Sequence, residues 1–329
     1  MHDFLKEWGP AVVTALVILI LIAMIKAVAP MIKSGVLGTL TKWSGIVDSM
    51  TNNNGEFPEE KEYGADITLN SYFSNNVDKI DKPTFKTSGD VVIPGEIKMS
   101  NSGGYMGDGL WHKIKKIDTC FYGCTEITSI TIEDGVEEIL YNAFQGNIGL
   151  INLTSVTMAD SITRIEGTAF YGCPKLESVK LSNNLEYIGS QAFSDTGLKS
   201  ITIPASVKTM DSQTFYTCNN LEKVIFEGAT NIPHGCFYSC RNLKSVTLGE
   251  GTTQIGSQAF MGCTNLDTIE IPDSVTSIDS SAFRESGLSS VRYKNTTYTS
   301  KSALTNALEN NGVSVSSYDN PFNNTNLTD

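Results

Sequence analysis

The chain has 329 residues, with 24 basic and 36 acidic side chains and a net charge of −12. A hydrophobic content of 40% is enough to build a core, which excludes wholesale disorder. The acidic balance provides no basic surface for nucleic acid, so we expect no nucleic-acid partner. Histidine is scarce, with only His2, His112 and His234, which disfavours zinc and general-base chemistry.

The first element is an apolar segment that predicts a transmembrane helix. Residues 10–25 contain no charged side chain. A spanning helix needs about 20 mostly apolar residues, and residues 8–27 supply them, with Trp8 as an interfacial anchor. The alternatives are a cleaved signal peptide and a buried helix of a soluble protein. The non-basic residues 1–8 disfavour the signal peptide.

The membrane segment is followed by a second helical pattern and a linker. Residues 31–50 place apolar side chains three and four residues apart, which predicts an amphipathic helix within a juxtamembrane region that ends at residue 50. This helix would lie on the bilayer surface or pack within an assembly, and the sequence leaves both open. Residues 51–64 are polar and acidic and contain glycine and proline, as is typical of a linker.

A phenylalanine then recurs at a nearly constant interval. The successive steps are 23, 26, 23, 22, 22, 23 and 23 residues. The repeating positions are Phe121, Phe144, Phe170, Phe193, Phe215, Phe237, Phe260 and Phe283. An aliphatic residue lies four or five positions upstream of each, and another lies five or six positions downstream. Such a period predicts a solenoid whose stacked coils bury one another's apolar side chains.

Each repeat also contains a short alternating strand, for example residues 200–203 (SITI) and 245–248 (SVTL). Alternation with a period of two indicates one buried and one exposed strand face. Residues 188–193 (IGSQAF) and 255–263 (IGSQAFMGC) resemble the BspA-type leucine-rich repeat almost residue for residue. The resemblance covers about residues 114–293 and implies a leucine-rich-repeat solenoid. It also implies a surface adhesin or partner-binding role, with ligands that vary among members.

The segments on either side predict caps for the solenoid. Residues 65–113 form the N-terminal cap, with strand patterns at 67–72 and 91–99. Residues 294–329 form the C-terminal cap, with a short helix over 300–310 and a truncated ninth coil. The predicted fold class is therefore mainly β, a solenoid of about eight to nine coils with terminal caps, preceded by a transmembrane helix.

The spacing of the seven cysteines is set by the repeat. Five cysteines follow a repeat phenylalanine by three residues, and two precede one directly. This placement predicts small buried thiols at a corner of each coil, because free cysteine is among the most buried residue types. No zinc-ligand spacing, phosphate-binding loop or nucleophile–base pattern occurs, so we predict no enzyme activity, cofactor, metal site or catalytic residue.

The exposed strand positions are the predicted binding surface. They are mostly serine and threonine, and Lys223 and Ile225 beside Phe226 interrupt them. The predicted ligand-binding residues are Lys180, Thr202, Lys223, Ile225, Phe226, Thr247, Glu270 and Arg292. The alternative is that serine and threonine simply suit a solvated strand.

These patterns together predict a membrane-anchored cell-surface protein that binds a protein or glycan through the solenoid. Lys26, Lys33 and Lys42 follow the membrane segment, and the positive-inside rule read literally places the solenoid in the cytoplasm. The repeat composition and the resemblance favour a single-pass protein with the solenoid outside the cell. The alternative function is structural, with self-association through the N-terminal helix assembling a membrane complex or filament.

Overall fold

The computed structural model describes residues 67–69, 88–98, 111–119, 121, 124–146 and 149–329. The predicted membrane helix at 8–27, the amphipathic segment at 31–50 and the linker at 51–64 lie outside these residues. Among the described residues, no helix is long and apolar enough to cross a membrane.

The described residues form twenty strands and one helix. In chain order the elements are β1 (Ile67–Leu69), β2 (Ser88–Ile93), β3 (Glu96–Lys98), β4 (Trp111–Ile117), β5 (Glu126–Ile132), β6 (Glu138–Ile139), β7 (Ser155–Met158), β8 (Arg164–Ile165), β9 (Ser178–Lys180), β10 (Tyr187–Ile188), β11 (Ser200–Ile203), β12 (Thr209–Met210), β13 (Lys223–Phe226), β14 (Ser245–Thr247), β15 (Gln254–Ile255), β16 (Thr268–Ile271), β17 (Ser277–Ile278), β18 (Ser290–Tyr293), β19 (Thr296–Tyr298), α1 (Lys301–Asn310) and β20 (Ser314–Val315).

The strands form two ladders that run along the solenoid. The first ladder pairs β1, β4, β6, β8, β10 and β12, and resumes as β15, β17 and β20. The second ladder contains three hydrogen-bonded groups. Their strand orders are β2-β5-β7-β9, β11-β13-β14 and β16-β18-β19. All the pairs that join one coil to the next are parallel, because each coil repeats the direction of the previous one. The mainly-β solenoid predicted from the sequence is confirmed, with about eight turns.

A single column of phenylalanine rings forms the centre of the core. The eight repeat phenylalanines and Phe322 stack with their ring planes nearly parallel. The centroid distances between successive rings lie between 5.0 and 5.5 Å. Leu198 and Ile201 illustrate the aliphatic residues around the column, at 0% and 3% exposed. Because each coil supplies only one ring, the column exists only through stacking.

Tight turns on both sides of the phenylalanine bring the ring into this column. Around Phe193, Gln191 has φ 56° and Asp195 has φ 59°, and equivalent residues of other coils adopt the same left-handed conformation. Polar residues and glycine tolerate this region better than β-branched residues do. This backbone requirement accounts for the small and polar residues that flank each phenylalanine.

The segments at both ends of the solenoid continue its ladders. β1 pairs in parallel with β4, and β2 with β5, so the N-terminal segment supplies the first strand of each ladder. At the other end, the antiparallel strand β19 covers β18, and Phe322 stacks on Phe283. Helix α1 begins after Ser300, whose side chain accepts a hydrogen bond from the backbone N–H of Ala303, and it buries Leu304 and Leu308.

Candidate binding surface

The strands of the second ladder turn alternate side chains outward. In β11, Ser200 and Thr202 are exposed while Ile201 and Ile203 are buried. The parallel register then places Thr202 beside Ile225 of β13. The outward side chains form two columns along the solenoid, which we call the strand face. It comprises Asp90, Val92, Ser129, Thr131, Ser155, Thr157, Ser178, Lys180, Ser200, Thr202, Lys223, Ile225, Ser245, Thr247, Thr268, Glu270, Ser290 and Arg292.

The strand face contains all but one of the predicted ligand-binding residues. Those on it are Lys180, Thr202, Lys223, Ile225, Thr247, Glu270 and Arg292. Phe226 requires a correction. It is 3% exposed, and its ring packs edge-on against Phe237 at a centroid distance of 6.2 Å. Strand alternation places Phe226 on the buried side because its neighbour Ile225 points outward.

Most of the strand face is a neutral surface of hydroxyl groups. It is interrupted by the charged side chains of Asp90, Lys180, Lys223, Glu270 and Arg292 and by the apolar side chains of Val92 and Ile225. Near its C-terminal end, the Arg292 Nε lies 3.4 Å from the Glu270 Oε1, so these opposite charges pair with each other. In the middle, Lys223 forms no ion pair with any described residue, and it lies beside the half-buried Ile225. A cation next to an aliphatic side chain therefore interrupts the serine and threonine columns.

A cleft of about 380 Å³ opens where the second ladder is interrupted between β14 and β16. Its walls carry polar side chains that include Thr247, Glu270 and Lys294. The turn that closes it contains Lys294 and Asn295, both at positive φ. No repeat or motif in the sequence predicts this cleft. The one feature that could indicate it is the turn at Asn295, which departs from an otherwise regular repeat.

Most of the described cysteines are buried, as the repeat pattern predicts. The buried ones are Cys173, Cys218, Cys236, Cys240 and Cys263, and none of these five forms a disulfide. Each buried thiol three residues after a phenylalanine donates a hydrogen bond to the phenylalanine carbonyl of the preceding coil. The Cys173 Sγ lies 3.2 Å from the Phe144 oxygen, and the Cys218 Sγ lies 3.0 Å from the Phe193 oxygen. Within the described ranges, no three His, Cys, Asp or Glu residues are placed to hold a metal ion.

Burial should protect these thiols from alkylation in the native protein. Desolvation raises the pKa of Cys173 to about 12 and also raises the pKa of Cys236, Cys240 and Cys263, so almost none of these four thiols ionises at neutral pH. Cys218 is protected by its complete burial alone. We expect N-ethylmaleimide at pH 7 to leave Cys173, Cys218, Cys236, Cys240 and Cys263 unmodified, as read by peptide mass spectrometry. Half-buried Cys124 should react first among the described cysteines. A urea-denatured sample is the control, and rapid native labelling of Cys263 would contradict the prediction.

The two ladders and the stacked coils define the chain as a leucine-rich-repeat solenoid. A family model for the BspA type leucine rich repeat region matches residues 110–222 and 230–329 in six copies. Because these residues make up more than half of the chain, the protein belongs to the BspA-type leucine-rich repeat family. The resemblance found in the sequence is thereby confirmed.

Several solved structures are similar to this chain. The leucine rich repeat protein of T. pallidum is 26% identical, with a TM-score of 0.46, and the match covers 55% of this chain and 79% of that one. A leucine-rich repeat protein of Bacteroides ovatus is 20% identical, with a TM-score of 0.27, covering 65% and 85%. The pneumococcal vaccine antigen PcpA is 17% identical, with a TM-score of 0.34, covering 72% and 78%. No curated protein matches the chain.

Proposed function

We propose that this protein is a membrane-anchored cell-surface binding protein that presents the strand face to a protein or glycan partner. Membership of a repeat family that forms protein-interaction surfaces supports a binding role. The main support for this function is the strand face, because an ordered array of outward hydroxyl groups offers a partner repeated hydrogen bonds.

The contact is centred on Lys223 and Ile225. Ile225 offers apolar area in the middle of a mostly polar face, and the amine of Lys223 has no carboxylate partner among the described residues. A partner that covers this patch can desolvate the aliphatic side chain and pair the cation, which is how a small group of residues comes to dominate binding.

Binding arrays of glycans and proteins, probed with the full chain, would identify the partner. We expect Ile225→Glu to weaken the binding of any array hit by at least about tenfold, because it places a charge at the contact centre. Ile151→Glu is the matched control, since Ile151 is 44% exposed and lies away from the strand face. Equal losses in the two variants, or unchanged binding by Ile225→Glu, would refute the assignment of this surface.

The anchor is tested separately on intact cells. Protease treatment should release the solenoid if residues 8–27 anchor it with the repeats outside, whereas full protection would refute the proposed orientation. Deletion of residues 1–50 should give a monomer if this segment only anchors the protein. Oligomers that depend on residues 1–50 would support the alternative of a self-assembling structural subunit.

A further inference from the structure

Tyr141 and Gly167 replace a serine that connects successive coils. The position three residues before the repeat phenylalanine is a serine in four of the eight coils, at Ser190, Ser212, Ser257 and Ser280. The Ser190 hydroxyl donates to the Ser212 carbonyl oxygen at 2.9 Å, and the Ser257 and Ser280 hydroxyl oxygens lie 3.2 Å apart. Tyr141 and Gly167 occupy this position in two consecutive coils, so the pair gives up that hydrogen bond.

The missing side chain of Gly167 makes room for the Tyr141 ring. The φ angle of Gly167 lies outside the left-handed region, so the backbone conformation alone does not require glycine. A Cβ at Gly167 would lie 2.8 Å from the Tyr141 Cε1 and 3.3 Å from its Cδ1, and 3.0 Å from the Ser190 carbonyl oxygen. Any side chain there would push the ring away, so Gly167 determines where the ring lies.

The remainder of the Tyr141 side chain is open to solvent. Tyr141 is 60% exposed, and within the described ranges no other ring or cation stacks on it. Tyr187 of the first ladder differs, because it is half-buried and the Arg164 guanidinium lies 3.7 Å from its ring centroid. Tyr141 is therefore an aromatic platform with a fixed position and an uncovered surface.

Two polar side chains adjoin the residues that hold the ring. Asn142 follows Tyr141 in the chain, and its Oδ1 accepts a hydrogen bond from a threonine hydroxyl at 2.6 Å. The Asn142 Nδ2 forms no hydrogen bond with the residues that the structure describes, so it can donate to a ligand. Glu166 precedes Gly167, and its Oε1 pairs with the Arg164 Nε, which leaves Oε2 as an acceptor. A donor and an acceptor therefore flank the platform.

The charges and the size of this surface favour a small neutral ligand. The Arg164 Nε pairs with Glu166, and the Lys116 Nζ lies 2.9 Å from a Glu138 oxygen, so a charged ligand would have to displace an existing partner. A standard protein interface buries about 800 Å² on each side, far more than one ring offers. A pyranose, in contrast, is about the size of a single aromatic ring.

We propose that Tyr141 is a stacking site for a neutral hexose, with Asn142 and Glu166 hydrogen-bonding to its hydroxyl groups. The C–H groups on one face of a pyranose are apolar and slightly positive, and they pack on the negative face of an aromatic ring. The hydroxyl groups project from the edge of the sugar, where a donor and an acceptor can fix its orientation. This site lies at the first ladder, so it is separate from the strand face around Ile225.

Saturation-transfer-difference NMR of the full chain tests this site, without sugar-based detergents. The probes are the methyl glycosides of glucose, galactose, mannose and N-acetylglucosamine. We expect at least one to bind, and Tyr141→Ala to weaken its binding by at least about tenfold because the stacking surface is lost. Tyr141→Phe keeps the ring and should bind within about threefold of the wild type. Because Tyr141 is exposed, neither substitution should disturb folding.

Tyr318→Ala is the matched control, since Tyr318 is 97% exposed and belongs to the C-terminal segment, and it should bind like the wild type. Binding of a neutral sugar should also persist at high salt, which screens charged contacts. The proposal is overturned if no glycoside binds, if Tyr141→Ala binds normally, or if Tyr318→Ala causes an equal loss. Ile225→Glu should leave glycoside binding unchanged, so this site and the strand face can fail independently.

Discussion

Replacing Phe215 with alanine should destabilise the solenoid by about 4 kcal/mol, because a large core side chain is removed from a site that cannot collapse around the cavity. Phe215 is fully buried, and its ring stacks on Phe193 at 5.5 Å and on Phe237 at 5.4 Å. The substitution therefore removes two ring contacts together with the buried area, and stacked aromatic pairs contribute about 0.5–1.5 kcal/mol each beyond burial.

Urea unfolding followed by circular dichroism measures this effect. Phe215→Leu is the control, because it keeps most of the apolar volume and should cost less than half as much. In a repeat protein the coils are coupled mainly to their neighbours, so a break in the middle of the column should also broaden or split the transition. A loss below about 1 kcal/mol, of the size found for ordinary surface substitutions, would contradict the importance of the column.

The sequence predicts the repeated part of this fold well. The spacing of the phenylalanines locates the column, and the alternation in segments such as residues 200–203 identifies which side chains point outward. The same rule should have excluded Phe226, since Ile225 and Phe226 are adjacent in one strand and must point to opposite faces. The position of Phe226 next to Ile225 in the sequence is therefore no reason to expect its side chain on the exposed face.

Features that depend on contacts between unlike segments could not be predicted. β2 pairs with β5 across a long intervening segment, of which only the part around Phe121 follows the repeat. The first ladder is interrupted after β12, where Pro233 has no N–H to donate to the Met210 oxygen and the Asn231 Oδ1 accepts from the N–H groups of Thr253 and Gln254 instead. Each residue is unremarkable by itself, and only the hydrogen bonds between successive coils show where the ladder is interrupted.

Replacing Gly197 with alanine should cost about 2–3 kcal/mol, because it forces a methyl group against backbone that cannot easily move. Leu198 follows Phe193 by five residues, whereas Leu221 follows Phe215 by six. The shorter turn brings Gly197 close to the preceding coil, where an added Cβ would lie 2.2 Å from the Pro174 carbonyl oxygen. Gly287 follows the same short spacing after Phe283, and its Cβ would lie 2.2 Å from the Thr264 oxygen.

Urea denaturation of Gly197→Ala and Gly287→Ala checks this prediction at two independent positions. Arg241→Ala is the matched control, because Arg241 occupies the same place in a six-residue turn and already carries a Cβ, and it should change stability by no more than about 0.5 kcal/mol. If both glycine variants were as stable as this control, the shortened turn would have enough freedom to accept a side chain. The two glycines would then reflect only the local backbone and not the close stacking of successive coils.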